Sequence, residues 1–154
     1  MIGAFERVCQ INRIALCACK GYPSLTFLRD GAARFSRANR EGKDPVILYF
    51  GDYDPSGEDI PRSIGDNLAN DFGVHVEIKR IALLEEQVVD WGLPPAPAKS
   101  GDSRTAMWDG LGQVELDAVP PEQLREGLGD GIVQRKVQRS EKANWTLGEE
   151  LQSQ

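Results

Sequence analysis

Residues Val46 to Phe50 form a short apolar run, rich in β-branched and aromatic side chains, that drives into Gly51-Asp52-Tyr53-Asp54-Pro55-Ser56-Gly57. Beyond that turn, apolar residues recur at Ile60, Ile64, Leu68 and Phe72, up to Gly73. The first run has the length and composition of a buried strand, and the second has helical spacing. A strand, a tight turn and a helix in that order constrain the fold to one in which helices cover a sheet.

The rest of the chain extends this pattern. Ile11 to Cys19 reads as a first strand, with Ile14, Leu16 and Ala18 on one face. Gly21-Tyr22-Pro23-Ser24 is a turn, and Pro23 or Ser24 opens a helix running to about Arg40. Val74 to Ala82 is a third strand, Leu84 to Trp91 a short helix, and Leu93 to Arg104 a Pro-rich connection. Gln113 to Val119 is a fourth strand, and Pro120-Pro121 starts a last helix. Alternating strands and helices predict an α/β domain with a mainly parallel, four-stranded sheet and helices on both faces. The expected domain spans 1–135, with a polar helix or tail over 136–154.

Right-handed crossovers would bring the C-terminal strand ends to one edge, where such sheets bind ligands. Asp52 and Asp54 would face one point there, because residues two apart on an extended chain point the same way. Two carboxylates at one point repel unless a positive charge sits between them. Mg²⁺, with Mn²⁺ as a substitute, suits such a pair, because it takes one or two carboxylates plus water and phosphate oxygens. Asp54 alone would also suit a helix cap, but a cap uses one aspartate. Glu58 and Asp59 fall on the first helical turn, where the helix dipole favours acids.

Glu115 and Asp117 repeat the two-apart spacing and read as a second acidic arm or as a polar strand end. Lys20, Arg80, Lys99 and Arg104 are candidate phosphate contacts. Each also has a plain reading, as a turn lysine, an ion-pair partner or loop residues. Trp91 and Trp108 read as packing residues. Arg135, Lys136, Arg139 and Lys142 suit a nucleic-acid backbone and a solvated helix face equally.

The net charge of −6 argues against a protein that coats nucleic acid by charge alone, but is compatible with an acidic metal site. No apolar run is long enough to span a membrane and no secretory signal is visible, which predicts a cytoplasmic protein. Three cysteines, Cys9, Cys17 and Cys19, read as reduced core residues. One histidine, His75, leaves zinc or histidine chemistry poorly supplied.

The Gly-Asp-Tyr-Asp-Pro-Ser-Gly stretch, between an apolar strand and a helix, resembles the DxD motif of Toprim domains. Its Asp-x-Asp-Pro-x-Gly form looks most like the A subunit of type IIB topoisomerases (topoisomerase VI). Arg80-Ile81-Ala82-Leu83, Glu86-Gln87, Trp91-Gly92-Leu93-Pro94 and Lys99 are similar to the segment after the DxD helix in that group. Val114-Glu115-Leu116-Asp117-Ala118-Val119 is similar to a strand near the end of such domains. Together these cover roughly residues 11 to 135, in an order also found in phage and bacterial proteins with this type of domain.

The resemblance implies a Toprim-like (Rossmann-like) fold and Mg²⁺-dependent handling of DNA phosphodiesters, of topoisomerase (isomerase) or nuclease type, with RNA as an alternative substrate. It implies Asp52, Asp54 and Glu115 as catalytic residues and Asp52, Asp54 and Asp117 as metal ligands. The chain departs from the family in two ways. Toprim enzymes carry a glutamate at the end of the first strand, where this chain reads Leu16-Cys17-Ala18-Cys19-Lys20-Gly21. The tyrosine-bearing domain that precedes Toprim in topoisomerase VI has no room before the expected first strand, so either a partner protein or domain would supply that nucleophile or the sequence is a piece of a longer protein. Two alternatives follow. One is a degenerate, non-catalytic Toprim-like interaction module. The other is a receiver-like phosphotransfer domain, disfavoured because no acid pair follows the first strand.

Overall fold

A computed structural model describes residues 2–96 and 112–152; beyond 136, Gln138 is the one described side chain. Helix α1 (Ile2–Asn12) buries Phe5 and Cys9, one turn apart on one face. It ends where Arg13 takes the left-handed conformation at φ 55°. Ile14 N–H then donates to the Cys9 carbonyl at 2.9 Å and Arg13 N–H to that of Gln10 at 3.2 Å. This is a Schellman ending built on arginine, where glycine is usual.

Helix α2 (Leu25–Arg40) starts at Ser24, whose hydroxyl accepts the Phe27 N–H at 3.3 Å, and buries Leu28 and Ala32. Strand β1 (Val46–Phe50) leads into helix α3 (Pro55–Phe72), which Asp54 caps and Gly73 closes at φ 63°. Strand β2 (Glu77–Ala82) lies parallel to β1, in register from Val46–Glu77 to Phe50–Ala82, with a bulge after Tyr49. Helix α4 (Glu85–Asp90) follows, and helix α5 (Pro121–Gln152) runs unbroken across position 135.

The helices cover both faces of the sheet. On one, Leu28, Ala32 and Leu68 pack with Ile47, Ile64 and Phe72. On the other, Phe5, Cys9, Leu124, Leu128 and Ile132 pack with Leu48 and Phe50. Ile47 and Leu48 thus face opposite layers, as strand alternation requires. Helix α5 approaches closely through two glycines: a Cβ on Gly127 or Gly131 would lie 3.5 or 3.1 Å from Ile81.

Two expected strands are absent. Ile11 and Asn12 belong to α1, and among the described residues the chain from Ile14 to Cys19 pairs with no strand; Ile14, Leu16 and Ala18 line an open cleft instead. Residues 113–119 make single antiparallel bridges, Gln113 with Ala96 and Val114 with Tyr53, and then wind into a 3₁₀ turn over Leu116–Ala118. A strand cannot continue there because the Leu116 N–H is taken by the Asp52 carboxylate. Among the described residues the sheet therefore has two strands, not four. Cys9 is buried as expected, whereas Cys17 and Cys19 are exposed and are not core residues. Trp91 packs against the core, and Trp108 lies outside the described residues. No described helix is long and apolar enough to cross a membrane.

Candidate functional site

The turn after β1 is held from both sides by backbone bonding. Gly51 exchanges hydrogen bonds with β2: its N–H donates to the Ala82 carbonyl and its carbonyl accepts from Leu83, both at 2.8 Å. Tyr53 then bridges to Val114, with N–H···O distances of 2.8 and 3.0 Å, and is buried at 2% exposure. Because Tyr53 turns into the core, its neighbours Asp52 and Asp54 are directed away from it.

Each aspartate is fixed by one oxygen. Asp54 Oδ1 accepts the Gly57 N–H at 2.5 Å, which caps α3. Asp52 Oδ1 accepts the Leu116 N–H at 2.8 Å, tying the turn to a segment 64 residues away. Both aspartates thus have a structural task, Asp54 as the helix cap and Asp52 as the tie to Leu116. Neither Oδ2 has a hydrogen-bond partner among the described residues.

The final glycine of the motif has a steric cause. A Cβ on Gly57 would overlap the Asp52 carbonyl oxygen, so the first turn of α3 can lie against this carbonyl only when that position is glycine. Gly51 is similarly covered, by the Tyr49 ring folded over it.

Arg80 stands beside Tyr49 in the parallel register. Its Nη2 donates to the Asp52 carbonyl at 2.9 Å, and its Nη1 lies 3.5 Å from Glu58 Oε1. Its Nε is buried without a hydrogen-bond partner among the described residues. Burial pulls the Arg80 guanidinium below its ordinary value, while Glu58, Tyr49 and Asp54 push it back up. The Tyr49 phenol is pushed up to about 12, chiefly by burial; Arg80 opposes the rise, and Asp52, Asp54 and Cys19 add to it. Arg80 thus pairs with the turn through a backbone carbonyl and Glu58, not through the Asp52 or Asp54 carboxylates.

The Asp52–Leu116 bond brings Glu115 and Asp117 to the same edge, both exposed. Among the described residues, no three Asp, Glu, His or Cys side chains converge as a metal cage. Mg²⁺ takes one or two carboxylates completed by water and phosphate, and Asp52 and Asp54 are the carboxylates this turn carries. Lys20 is exposed just before Gly21, whose φ of 72° requires the flexible residue expected there. Lys99, Asp102 and Arg104 lie outside the described residues. Asp59 holds Tyr22 Oη at 2.6 Å and Arg62 Nε at 2.7 Å, so it acts within the scaffold.

Arg135 bonds the Asp44 carbonyl at 2.8 Å, and Lys136 bonds Asn12 Oδ1 at 3.1 Å. Both anchor α5 to the body; the side chains of Arg139 and Lys142 lie outside those described. Sequence reasoning missed Tyr49 and the Leu116 N–H. The first was legible as the residue two before Gly51, while the second had no sequence signal.

No protein-family model, no curated protein and no solved structure matches the chain.

Proposed function

We propose that this chain is a Toprim-like module that engages nucleic-acid phosphodiesters with Mg²⁺ at Asp52 and Asp54. The observation that carries the reading is the way the two carboxylates are prepared. Each is fixed by a backbone N–H through one oxygen, with the second left without a protein partner among the described residues. Carboxylates that ligate metals are commonly held by such outer hydrogen bonds.

Mg²⁺ held there supplies charge neutralisation and Lewis acidity at a phosphate oxygen. The chain's own residues orient and bind. Gly57 and Leu116 fix the carboxylates, and Arg80 holds the turn through the Asp52 carbonyl and Glu58. Glu115 and Asp117 border the site as the assisting acids. DNA is the proposed substrate, and a partner protein or domain supplies the nucleophilic tyrosine.

A second reading is a non-catalytic interaction module. The observation favouring it is Arg80, which already places a cation against the acidic turn. Relaxation of supercoiled DNA to nicked circles in Mg²⁺ separates the two. The leading reading expects nicking that disappears in the Asp52→Asn, Asp54→Asn double variant, with the candidate partner added if needed. The same slow background in wild type and variant, with and without partner, would leave the interaction module.

A further inference from the structure

Helix α2 carries four arginines, Arg29, Arg34, Arg37 and Arg40, and one acid, Asp30, in a chain whose net charge is −6. Leu28 and Ala32 set the buried side of the helix, packed with Leu68. At 3.6 residues per turn, Arg37 falls opposite that side, Arg29 and Arg40 on one flank and Arg34 on the other. All four arginines are exposed. Arg29 pairs with Asp30 at 3.7 Å and Arg37 with Glu41 at 2.9 Å, exposed pairs that are easily exchanged for others. Arg34 and Arg40 make no ion pair among the described residues. The outer face of α2 is thus a cationic strip spanning roughly 16 Å between residues 29 and 40.

The strip leads to the aspartate turn. Tyr22, just before α2, donates its hydroxyl to Asp59 near the start of α3 at 2.6 Å. Leu28 and Ala32 then pack beside Ile64 and Leu68, so the two helices begin at one edge and run the same way. That edge carries Asp54, which caps α3, and Asp52 two residues earlier. Tyr22, Leu25 and Phe27 leave large apolar side chains exposed at the head of the strip, a mark of a contact surface.

We infer that the outer face of α2 is the surface on which the phosphate backbone of DNA lies as it enters the aspartate turn. The inference rests on the proposed function for the identity of the partner as DNA. Charge complementarity carries the rest: a duplex presents one negative charge per roughly 1.7 Å of axis, and arginines that neutralise phosphates release its condensed counterions. The strip supplies affinity and direction without reading sequence, since its contacts are to the backbone. It offsets locally the repulsion that the chain's overall negative charge presents to DNA.

The test is fluorescence anisotropy of a short labelled DNA duplex titrated with the full chain at low salt, in EDTA so that no divalent ion contributes. The wild type should bind, with an affinity that falls as salt is raised. Arg34→Gln and Arg40→Gln, which break no ion pair among the described residues, should each weaken binding. Each should also flatten the slope of log affinity against log salt by about 0.9, the share of one phosphate contact. Arg7→Gln, the same charge change on helix α1 over the opposite face of the sheet, should leave the slope as it is. Equal slopes in the wild type and the two α2 variants would overturn this surface and leave the metal site of the proposed function standing. No binding by the wild type would overturn it together with DNA as the partner. Stronger competition by poly-L-glutamate than by unlabelled duplex would overturn it in favour of an acidic protein. Binding that depends on α2, without nicking in Mg²⁺, would support the surface and count against the proposed chemistry alone.

Discussion

Asp52 reaches across 64 residues to Leu116, accepting its backbone N–H at 2.8 Å. The carboxylate that stands first in the DxD pair is thus also the tie that bends the returning segment into its 3₁₀ turn. Leu116 is 3% exposed, so its N–H has little access to water if that acceptor is lost. Asp52→Ala should therefore destabilise the fold by about 1–3 kcal/mol, the cost of orphaning a buried donor. Asp52→Asn keeps an oxygen acceptor and should cost less. Urea denaturation of the two variants checks this; equal losses would mean the bond to Leu116 contributes nothing.

Gly57 should tolerate no side chain. Gly57→Ala drives a methyl into the Asp52 carbonyl, which is backbone and cannot swing aside. A loss of about 1–3 kcal/mol is expected from such overpacking. Gly129→Ala, inside helix α5, is the contrast, since a Cβ there meets nothing within 4 Å. In a helix interior that change should stabilise by about 0.5–1 kcal/mol. Thermal unfolding of both variants checks the opposite signs.

Helix α5 lies close to the sheet because Gly131 faces Ile81, with an added Cβ only 3.1 Å from Ile81 Cδ1. Gly131→Leu should prevent that approach and lower the melting temperature. Pairing it with Ile81→Ala should restore part of the loss, because the smaller partner makes room. Strict additivity of the two changes would contradict the contact.

Tyr49 makes the alkaline limit of stability predictable in sign. Its phenol is pushed up to about 12, chiefly by burial, against about 10 in an unfolded chain. Between those values the folded state holds a proton that the unfolded state has released, so stability falls as pH rises. The contribution is complete below about pH 10 and is gone above the folded value. Tyr49→Phe should flatten the loss of stability across this window. The difference in tyrosinate absorbance between wild type and variant should titrate well above pH 10. A difference titrating at the ordinary tyrosine value would contradict the burial argument.

Much of the strand–turn–helix unit was legible because its signals are local. Val46 to Phe50, Asp54 as cap, the spacing from Ile60 to Phe72 and Gly73 as stop all act within a few residues. The Ser24 start of α2 was legible for the same reason. The misread segment around Ile11 to Cys19 had the alternation of a strand, and α1 ended on Arg13 without the usual glycine signal. Residues 113–119 were also misread, since the acceptor that stops their strand pairing is a side chain 64 positions earlier. The aspartate pair was legible as a candidate site. Its backbone partners and the Arg80–Asp52 contact were less so, because tertiary packing sets them.

The central claim is best tested by calorimetric titration of Mg²⁺ and Mn²⁺ into the wild type and the Asp52→Asn, Asp54→Asn double variant. Asparagine preserves an acceptor at both positions, so cap and tie survive while the two charges are removed. The account predicts saturable binding of one ion by the wild type and none by the folded variant. No saturable binding by the wild type, with or without DNA, or equal binding by both proteins, would contradict it.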